Sequence, residues 1–159
     1  MDSKHAFFMQ QAIDDARAHF SAMVGGPFGA CIVRKGEIIS LGHNTVLAEH
    51  DPTCHAEINA IRAASKRLGT HDLSGCDIYS TTEPCPMCFS AIHWANIGNI
   101  YYGTNIADVQ RIGFNELTIS NTQMKKIGQS HVAIHVDVER EACLKLLHEW
   151  QQQPNAQTY

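Results

Sequence analysis

The amino-acid sequence predicts an α/β protein, a three-layer α/β/α sandwich around a central mixed sheet of five strands. Short apolar segments bounded by turn residues alternate with longer segments whose apolar residues recur at helical spacing. A chain that alternates strands and helices in this way buries its sheet between two helical layers. The turn Lys35-Gly36 makes the first two strands an antiparallel hairpin, so the sheet is expected to be mixed rather than purely parallel.

Each predicted strand is a short apolar run that ends at polar or turn-forming residues. The first of them, residues 28–33, is typical of a buried strand, and the second returns after the turn at Gly36. The five predicted strands are residues 28–33, 37–41, 77–80, 99–103 and 131–136.

The predicted helices are bounded by recognisable start and stop signals. Residues 4–22 carry one apolar stripe, with Ser3 as a candidate N-cap and Gly25-Gly26-Pro27 as the stop. The next helix begins near Thr53 as its N-cap and ends at Gly69. This helix covers residues 55–68, and later helices are predicted at residues 85–95, 107–112 and 139–150.

Length and cysteine usage indicate one domain in a reducing compartment. Residues 1–150 are expected to form a single domain, followed by a polar C-terminal tail at residues 151–159. The first residues lack the pattern of a signal peptide, and no apolar run is long enough to span a bilayer. Four cysteines are expected to be reduced core residues, which favours the cytoplasm. These are Cys31, Cys54, Cys76 and Cys143.

The charge balance favours a small-molecule substrate. The formal net charge is −4, and the chain has no basic stripe of the kind that neutralises phosphates in nucleic-acid complexes. The pair Lys125-Lys126 is interpreted as a solvated turn. Neither a nucleic acid nor a membrane is an expected partner.

A split motif in the middle of the chain predicts a catalytic metal site. It consists of His55-Ala56-Glu57 and Pro84-Cys85-Pro86-Met87-Cys88. One imidazole and two thiolates suit zinc, and three protein ligands leave one tetrahedral position open, as catalytic zinc requires. Glu57 remains as a carboxylate that could carry protons. We therefore predict one Zn²⁺ per chain, bound by His55, Cys85 and Cys88.

Other interpretations of the two cysteines are a redox pair or half of a structural zinc site. A structural site needs a fourth ligand, and Cys54, His71 and Cys76 are the candidates. Cys54 adjoins His55 and is better explained as a small buried side chain, and the sequence contains no second C-x-x-C. The catalytic interpretation is therefore preferred.

The predicted helices explain the spacing of the motif. His55 and Glu57 fall in the first turn of one helix, and Cys85 and Cys88 fall in the first turn of the next, where residues three apart share a face. Helix N-termini carry partial positive charge, which favours thiolates. We therefore expect one metal between two helix N-termini, at the carboxyl ends of the strands, where α/β folds bind ligands.

An H-x-E followed by P-C-x-x-C is the signature of zinc-dependent nucleobase deaminases. The chain resembles the cytidine-deaminase-like zinc superfamily, and within it the small bacterial guanine deaminases, over residues 4 to about 118. The tRNA adenosine deaminases share D-P-T-x-H-A-E and E-P-C-x-M-C. The segments that carry the resemblance are Gly26-Pro27-Phe28-Gly29-Ala30, Asn44, Asp51-Pro52-Thr53-Cys54-His55-Ala56-Glu57, Glu83-Pro84-Cys85-Pro86-Met87-Cys88 and Ala91-Ile92-His93-Trp94-Ala95.

The resemblance implies roles for individual residues. His55, Cys85 and Cys88 would hold zinc, and Glu57 would move protons between water, a ring nitrogen and the leaving amine. The side chain of Asn44 and the backbone N–H of Ala56 would hydrogen-bond the base, and Phe28 and Trp94 would line its pocket.

The resemblance also assigns roles to two residues near the end of the chain. Glu116 follows Gly113-Phe114-Asn115, at the place where the family usually has an aspartate that assists the exocyclic amine. Tyr159 matches the family's C-terminal tyrosine, which closes the pocket from the partner subunit. The resemblance implies a homodimer, with the tail acting in its own subunit or swapped onto its neighbour.

Simpler interpretations remain for several of these residues. Asn44 could be a turn residue, Trp94 ordinary core, Glu116 solvated surface and Tyr159 a frayed terminus. Glu83 is predicted to organise the loop before the cysteines rather than to take part in chemistry.

The predicted function is zinc-dependent hydrolysis of a free purine base, guanine to xanthine and ammonia. The alternatives are a tRNA-specific adenosine deaminase, which the acidic charge disfavours, and a deaminase of guanosine or another aminated heterocycle. A zinc-stabilised scaffold without catalysis is a third class, against which the presence of Glu57 argues.

Overall fold

The structure is a computed structural model that describes residues 3–159. Its strands are β1 (Gly29–Arg34), β2 (Glu37–His43), β3 (Cys76–Thr82), β4 (Asn99–Thr104) and β5 (Ala133–His135). They form one sheet in the order β2-β1-β3-β4-β5. β1 pairs antiparallel with β2 and β3, whereas the β3–β4 and β4–β5 pairs are parallel. The predicted mixed sheet of five strands is confirmed.

Helices cover both faces of this sheet. They are α1 (Ser3–Ala18), α2 (Val46–Glu49), α3 (Ala56–Leu68), α4 (Pro86–Trp94), α5 (Ile106–Arg111), α6 (Asn121–Gly128) and α7 (Arg140–Gln151). Because side chains alternate along a strand, β1 contributes to both cores. Ala30 and Ile32 pack in the core with α3 and α4, and Cys31 and Val33 pack in the core with α1 and α7.

Gly42 in β2 allows α3 to lie close to the sheet. A Cβ at this position would be 2.5 Å from the carbonyl oxygen of Ala56 and 2.6 Å from the nitrogen of Ala60. Any side chain larger than hydrogen would therefore displace the start of α3. Since His55 immediately precedes this helix, the close approach positions a predicted metal ligand.

Several predicted boundaries were wrong. α1 ends at Ala18. Residues 19–23 form turns with hydrogen bonds between residues three apart, such as Phe20 N to Arg17 O. Ser3, the predicted N-cap, already lies in α1. β5 has only three residues, at the sheet edge where β4 is its partner.

The N-cap of α3 is His55 rather than the predicted Thr53. The backbone N–H and the hydroxyl of Thr53 both donate to the Asp51 carboxylate, at 2.8 and 2.7 Å. Because these hydrogen bonds engage the Thr53 hydroxyl, it does not cap the helix, which begins after His55.

Helices α2 and α6 were not predicted, and the interpretation of Lys125-Lys126 as a turn was wrong. Both lysines lie in the last turn of α6. The missed signal was Ser120 with Gln123 three residues later, which form a capping box at the start of this helix.

The cysteines are all free, and the four predicted core cysteines are buried. Within residues 3–159, no helix combines the length and the apolar character needed to cross a membrane.

Candidate active site

The three predicted zinc ligands converge at the N-termini of α3 and α4. His55 and Cys85 are the N-cap residues of these helices, and Cys88 lies in the first turn of α4. The sulfur atoms of Cys85 and Cys88 each lie 3.6 Å from His55 Nδ1. Tetrahedral zinc, with bonds of about 2.3 Å to sulfur and 2.0 Å to nitrogen, separates such ligand atoms by roughly 3.5 Å. The donor set therefore fits zinc in both chemistry and spacing.

The same geometry stabilises a thiolate. Hydrogen bonds from Cys88 and His55 outweigh the effect of burial and lower the pKa of the Cys85 thiol to about 4. The hydrogen bond with Cys85, together with burial, raises the pKa of Cys88. The pair thus presents one thiolate and one thiol, and a bound divalent cation favours loss of the second proton.

Glu57 is a buried carboxyl beside these ligands. Its side chain lies in the first turn of α3 and lines a cavity of about 300 Å³. Ser80 of β3 donates a hydrogen bond from Oγ to Glu57 Oε1, at 3.2 Å. Burial, reinforced by the negative charge of Cys85, raises the pKa of Glu57 above its ordinary value. A carboxyl whose pKa is shifted toward neutrality can both accept and donate protons at working pH.

Asn44 is held with its amide oxygen facing the protein. This oxygen accepts hydrogen bonds from Tyr159 Oη at 2.7 Å, from Val46 N at 3.1 Å and from Gly26 N at 3.3 Å. Within residues 3–159, no hydrogen bond uses the amide nitrogen of Asn44, which is a lining residue of the cavity. Asn44 can therefore offer N–H groups to a bound molecule.

Glu116 lies across the cavity in the loop after α5. Burial, together with the negative charge of Cys85, raises the pKa of the Glu116 carboxyl to about 7. Glu116 is therefore close to half-protonated near neutral pH, and it is not the solvated surface residue of the simpler interpretation.

The C-terminal tail folds back onto the cavity of its own chain. Its last residue, Tyr159, packs edge-on against Phe114, with ring centroids 5.2 Å apart. The backbone oxygen of Tyr159 accepts a hydrogen bond from Asn115 N at 3.0 Å. The tail is therefore ordered against the site rather than frayed, and it contacts the loop that carries Glu116.

Trp94 does not line this cavity. It ends α4 and is 80% exposed, so neither the pocket role nor the core role describes it. Trp94 is six residues beyond Cys88, about 9 Å along the helix axis and on a different face. The position in the sequence was close to the motif, but the helix carries the side chain away from the site.

Phe28 lines the cavity, as expected. Ala56 is not among the residues that line the cavity; it is the first residue of α3. Its backbone N–H is one of the helix's first four, which lack partners within the helix.

Glu83 organises its surroundings through its carboxylate. Oε2 accepts from Ile106 N at 3.2 Å, and Oε1 accepts from Asn121 N at 2.8 Å. These bonds join the loop before Cys85 to the starts of α5 and α6, which agrees with the predicted role of Glu83 in ordering the loop.

Sequence reasoning missed several lining residues. Most are chain neighbours of motif residues, and this adjacency was the signal that could have found them. They are Pro52, Thr82, Met87, Phe114, Asn115 and Leu117.

Comparison with known proteins decides the family. The cytidine and deoxycytidylate deaminase zinc-binding region matches residues 2–104. The chain belongs to this family. The predicted enzyme class, a zinc-dependent deaminase, is thereby confirmed.

The similar proteins include a guanine deaminase and tRNA-specific adenosine deaminases. The chain is 44% identical to the guanine deaminase of Bacillus subtilis over 112 residues, which cover 70% of this chain and 72% of that protein. It is 43% identical to a tRNA-specific adenosine deaminase of Aquifex aeolicus over 96 residues, which cover 60% and 63%.

Solved structures confirm the fold. A guanine deaminase from Nitrosomonas europaea matches with a TM-score of 0.85 at 30% identity, covering 93% of this chain and 85% of that one. A structure from a study of tRNA:A34 deaminases matches with a TM-score of 0.76 at 30% identity, covering 89% and 99%.

Proposed function

We propose that this protein hydrolyses guanine to xanthine and ammonia. The observation that carries the proposal is the set of hydrogen-bonding groups in the cavity. The Asn44 amide offers N–H donors, while Glu57 and Glu116 offer carboxyl oxygens. Guanine presents acceptors at its carbonyl oxygen and ring nitrogens, and donors at N1 and at the 2-amino group. The donors and acceptors of the cavity complement those of guanine.

Zinc held by His55, Cys85 and Cys88 would supply Lewis acidity, which lowers the pKa of water so that water can lose a proton and act as a nucleophile at neutral pH. Glu57 would take the proton that this water loses. It would then protonate the ring nitrogen next to the carbon that bears the amine. The second proton of the water leaves through Glu57 with the departing nitrogen as ammonia, so the carboxyl returns to its starting state.

Ser80 is proposed to position Glu57, and Asn44 is proposed to position the base. The hydroxyl of Ser80 holds Oε1 of Glu57 through a hydrogen bond of 3.2 Å. Tyr159, Val46 and Gly26 engage the Asn44 oxygen, so the amide can turn only its N–H groups toward the base.

Glu116 is proposed to bind the exocyclic amine. Its pKa of about 7 means that a neutral and an ionised form coexist near pH 7. The ionised form accepts a hydrogen bond from the amine, and the neutral form can donate a hydrogen bond to the leaving nitrogen while Glu57 supplies its proton.

The size and walls of the cavity favour a free base. Its volume of about 300 Å³ is at the small end of the range for ligand sites. Phe28, Phe114 and Tyr159 supply flat apolar surface for a planar ring. Tyr159 also covers the site in this chain, which suits a small substrate better than a base that remains attached to RNA.

The test is ammonia release from guanine by the zinc-loaded protein, compared with guanosine, adenine, cytosine and tRNA. We expect guanine to have the highest kcat/KM. Glu57→Gln should keep its zinc and its fold but lose at least about a hundredfold in turnover. Activity restricted to a pyrimidine, or full activity in Glu57→Gln, would contradict the proposal.

The 43% identity to a tRNA-specific adenosine deaminase supports a second candidate, adenosine deamination in tRNA. It requires binding of tRNA that weakens steeply with salt. Such binding, together with inosine formation and no reaction with guanine, would favour this candidate.

We also propose that the protein is a cytoplasmic homodimer. Besides the proposed zinc ligands, four cysteines are buried free thiols, which suits a reducing compartment. Trp94 of α4 and Ile127 of α6 are 80% and 81% exposed. The two helices pack against each other, so a partner subunit could cover both side chains. A monomeric mass in light scattering would contradict the dimer.

A further inference from the structure

A second cluster of potential metal ligands lies on the opposite face of the sheet. Asp15 is in α1, His19 immediately follows that helix, and His43 ends β2. One ligand atom from each of the three residues lies within 4.8 Å of the others. All three side chains are partly buried, so they are ordered by their neighbours yet open to solvent.

The hydrogen bonds of the two histidines fix which nitrogen is available. His19 Nδ1 lies 2.7 Å from the backbone oxygen of Asp15, and His43 Nδ1 lies 2.9 Å from Asp15 Oδ2. A carbonyl and a carboxylate only accept hydrogen bonds, so both Nδ1 atoms donate and both Nε2 atoms keep a free lone pair. Histidines that bind metals usually donate their other N–H to a carboxylate or a backbone carbonyl in this way.

The local charge also favours a cation. Asp15 contributes a carboxylate, and the C-terminal end of α1 carries partial negative charge. Arg17, the cation nearest in the sequence, pairs instead with Asp14 and Glu149. The negative charge of Asp15 is therefore not taken up by its neighbouring arginine.

We propose that His19 and His43 bind a divalent transition metal such as Ni²⁺, Cu²⁺ or Zn²⁺ through their Nε2 atoms, while Asp15 holds both rings through their Nδ1 atoms. Imidazole nitrogens suit these ions. The two rings are stacked, with centroids 3.5 Å apart and planes 13° apart. To share one ion, the two rings must tilt further apart while each Nδ1 keeps its hydrogen bond. Such an ion would tie the end of α1 to β2.

The test is a calorimetric titration of tag-free, zinc-loaded protein with Ni²⁺ alone. Zinc release is measured in parallel, so that exchange at the first site is counted separately. We expect one equivalent of Ni²⁺ to bind without zinc release. His19→Ala and His43→Ala should each weaken this binding by at least about tenfold.

His71→Ala is the matched control, because His71 is exposed and neighbours the Asp72 carboxylate but belongs to no cluster of three potential ligands in the described chain. It should leave Ni²⁺ affinity unchanged. Equal Ni²⁺ binding by the wild type and the His19→Ala/His43→Ala double variant would overturn the proposal. If a variant fails to fold, the electron paramagnetic resonance spectrum of Cu²⁺ on the wild-type protein decides. Two coordinated imidazole nitrogens support the site, and one or none overturns it.

Discussion

Glu57, the proposed proton carrier, is a buried carboxyl held by a neighbouring side chain. Its side chain is 5% exposed, and the Ser80 hydroxyl donates to one of its two oxygens. Ser80 lies in β3, which is bonded to strands on both sides, so the hydroxyl has a rigid support. The hydrogen bond therefore restricts the carboxyl without taking both of its oxygens.

Ser80→Ala is expected to lower kcat for guanine by about tenfold, because hydrogen bonds to charged groups contribute about 1.5–3 kcal/mol. KM should change little, since Ser80 acts through Glu57 rather than on the base. Steady-state kinetics of the zinc-loaded variant gives both constants.

Two variants control this measurement. Ser80→Thr keeps the hydroxyl and should restore most of kcat. Ser40→Ala removes another buried serine hydroxyl, one that donates to the Ala60 carbonyl oxygen in the neighbouring part of the sheet. It should lower stability but not kcat. An unchanged kcat in Ser80→Ala would show that the hydrogen bond does not position Glu57.

At the scale of elements, Asp108 joins α5 to α7. Its carboxylate accepts from Arg140 Nη1 at 2.7 Å and Nη2 at 3.0 Å. It also accepts from Asn105 N at the start of α5, at 2.9 Å. The buried Asp108 carboxylate thus accepts hydrogen bonds both at the start of α5 and from α7, two helices that are distant in the chain.

Asp108→Asn is expected to lower the free energy of unfolding by about 2 kcal/mol, because it leaves Arg140 without its buried anion. Burial, the largest single effect, would raise the pKa of Asp108. The hydrogen bonds from Arg140 and Asn105, together with the charges of Arg140 and Arg111, outweigh it, and the pKa lies below the ordinary value. The stabilisation is thus present above the ordinary aspartate pKa, about 4, and is lost as the pH falls through the lowered pKa.

Urea unfolding at a series of pH values measures this effect. The difference between wild type and Asp108→Asn should be full at pH 7 and shrink as the solution is acidified. Asp14→Asn is the control, because Asp14 pairs with Arg17 at an exposed position and should change stability little. A pH-independent difference for Asp108→Asn would contradict the assignment.

For the whole molecule, the proposed metal ligands connect separate parts of the fold. His55 caps α3, whereas Cys85 and Cys88 belong to the start of α4. A bound zinc therefore stabilises the folded chain over an unfolded one in which the three ligands are dispersed.

Removal of zinc with a chelator is expected to lower Tm by roughly 5–10 °C, as binding to the folded state alone contributes about 2.7 kcal/mol at a hundredfold excess over Kd. Differential scanning calorimetry with and without chelator measures the shift. Cys85→Ser should show a much smaller response. Equal Tm values for the zinc-loaded and chelated wild type would contradict the predicted metal site.

The sequence by itself predicted the proposed metal ligands, the position of Glu57 beside them, the fold class and most elements. Those features depend on short-range information. Two ligands three residues apart share a helix face, and apolar periodicity identifies each strand or helix. Even the short helix α6 had a local signal in its capping box, which was missed.

Only the tertiary structure decided where Trp94, Glu116 and Tyr159 lie. Trp94 follows the motif in sequence, yet helix rotation exposes it. Glu116 and Tyr159 reach the cavity because a loop and the tail fold back across it. The pairing of His43 with Asp15 is likewise a contact between distant segments. Such contacts depend on how the elements pack, and local residue patterns do not specify packing.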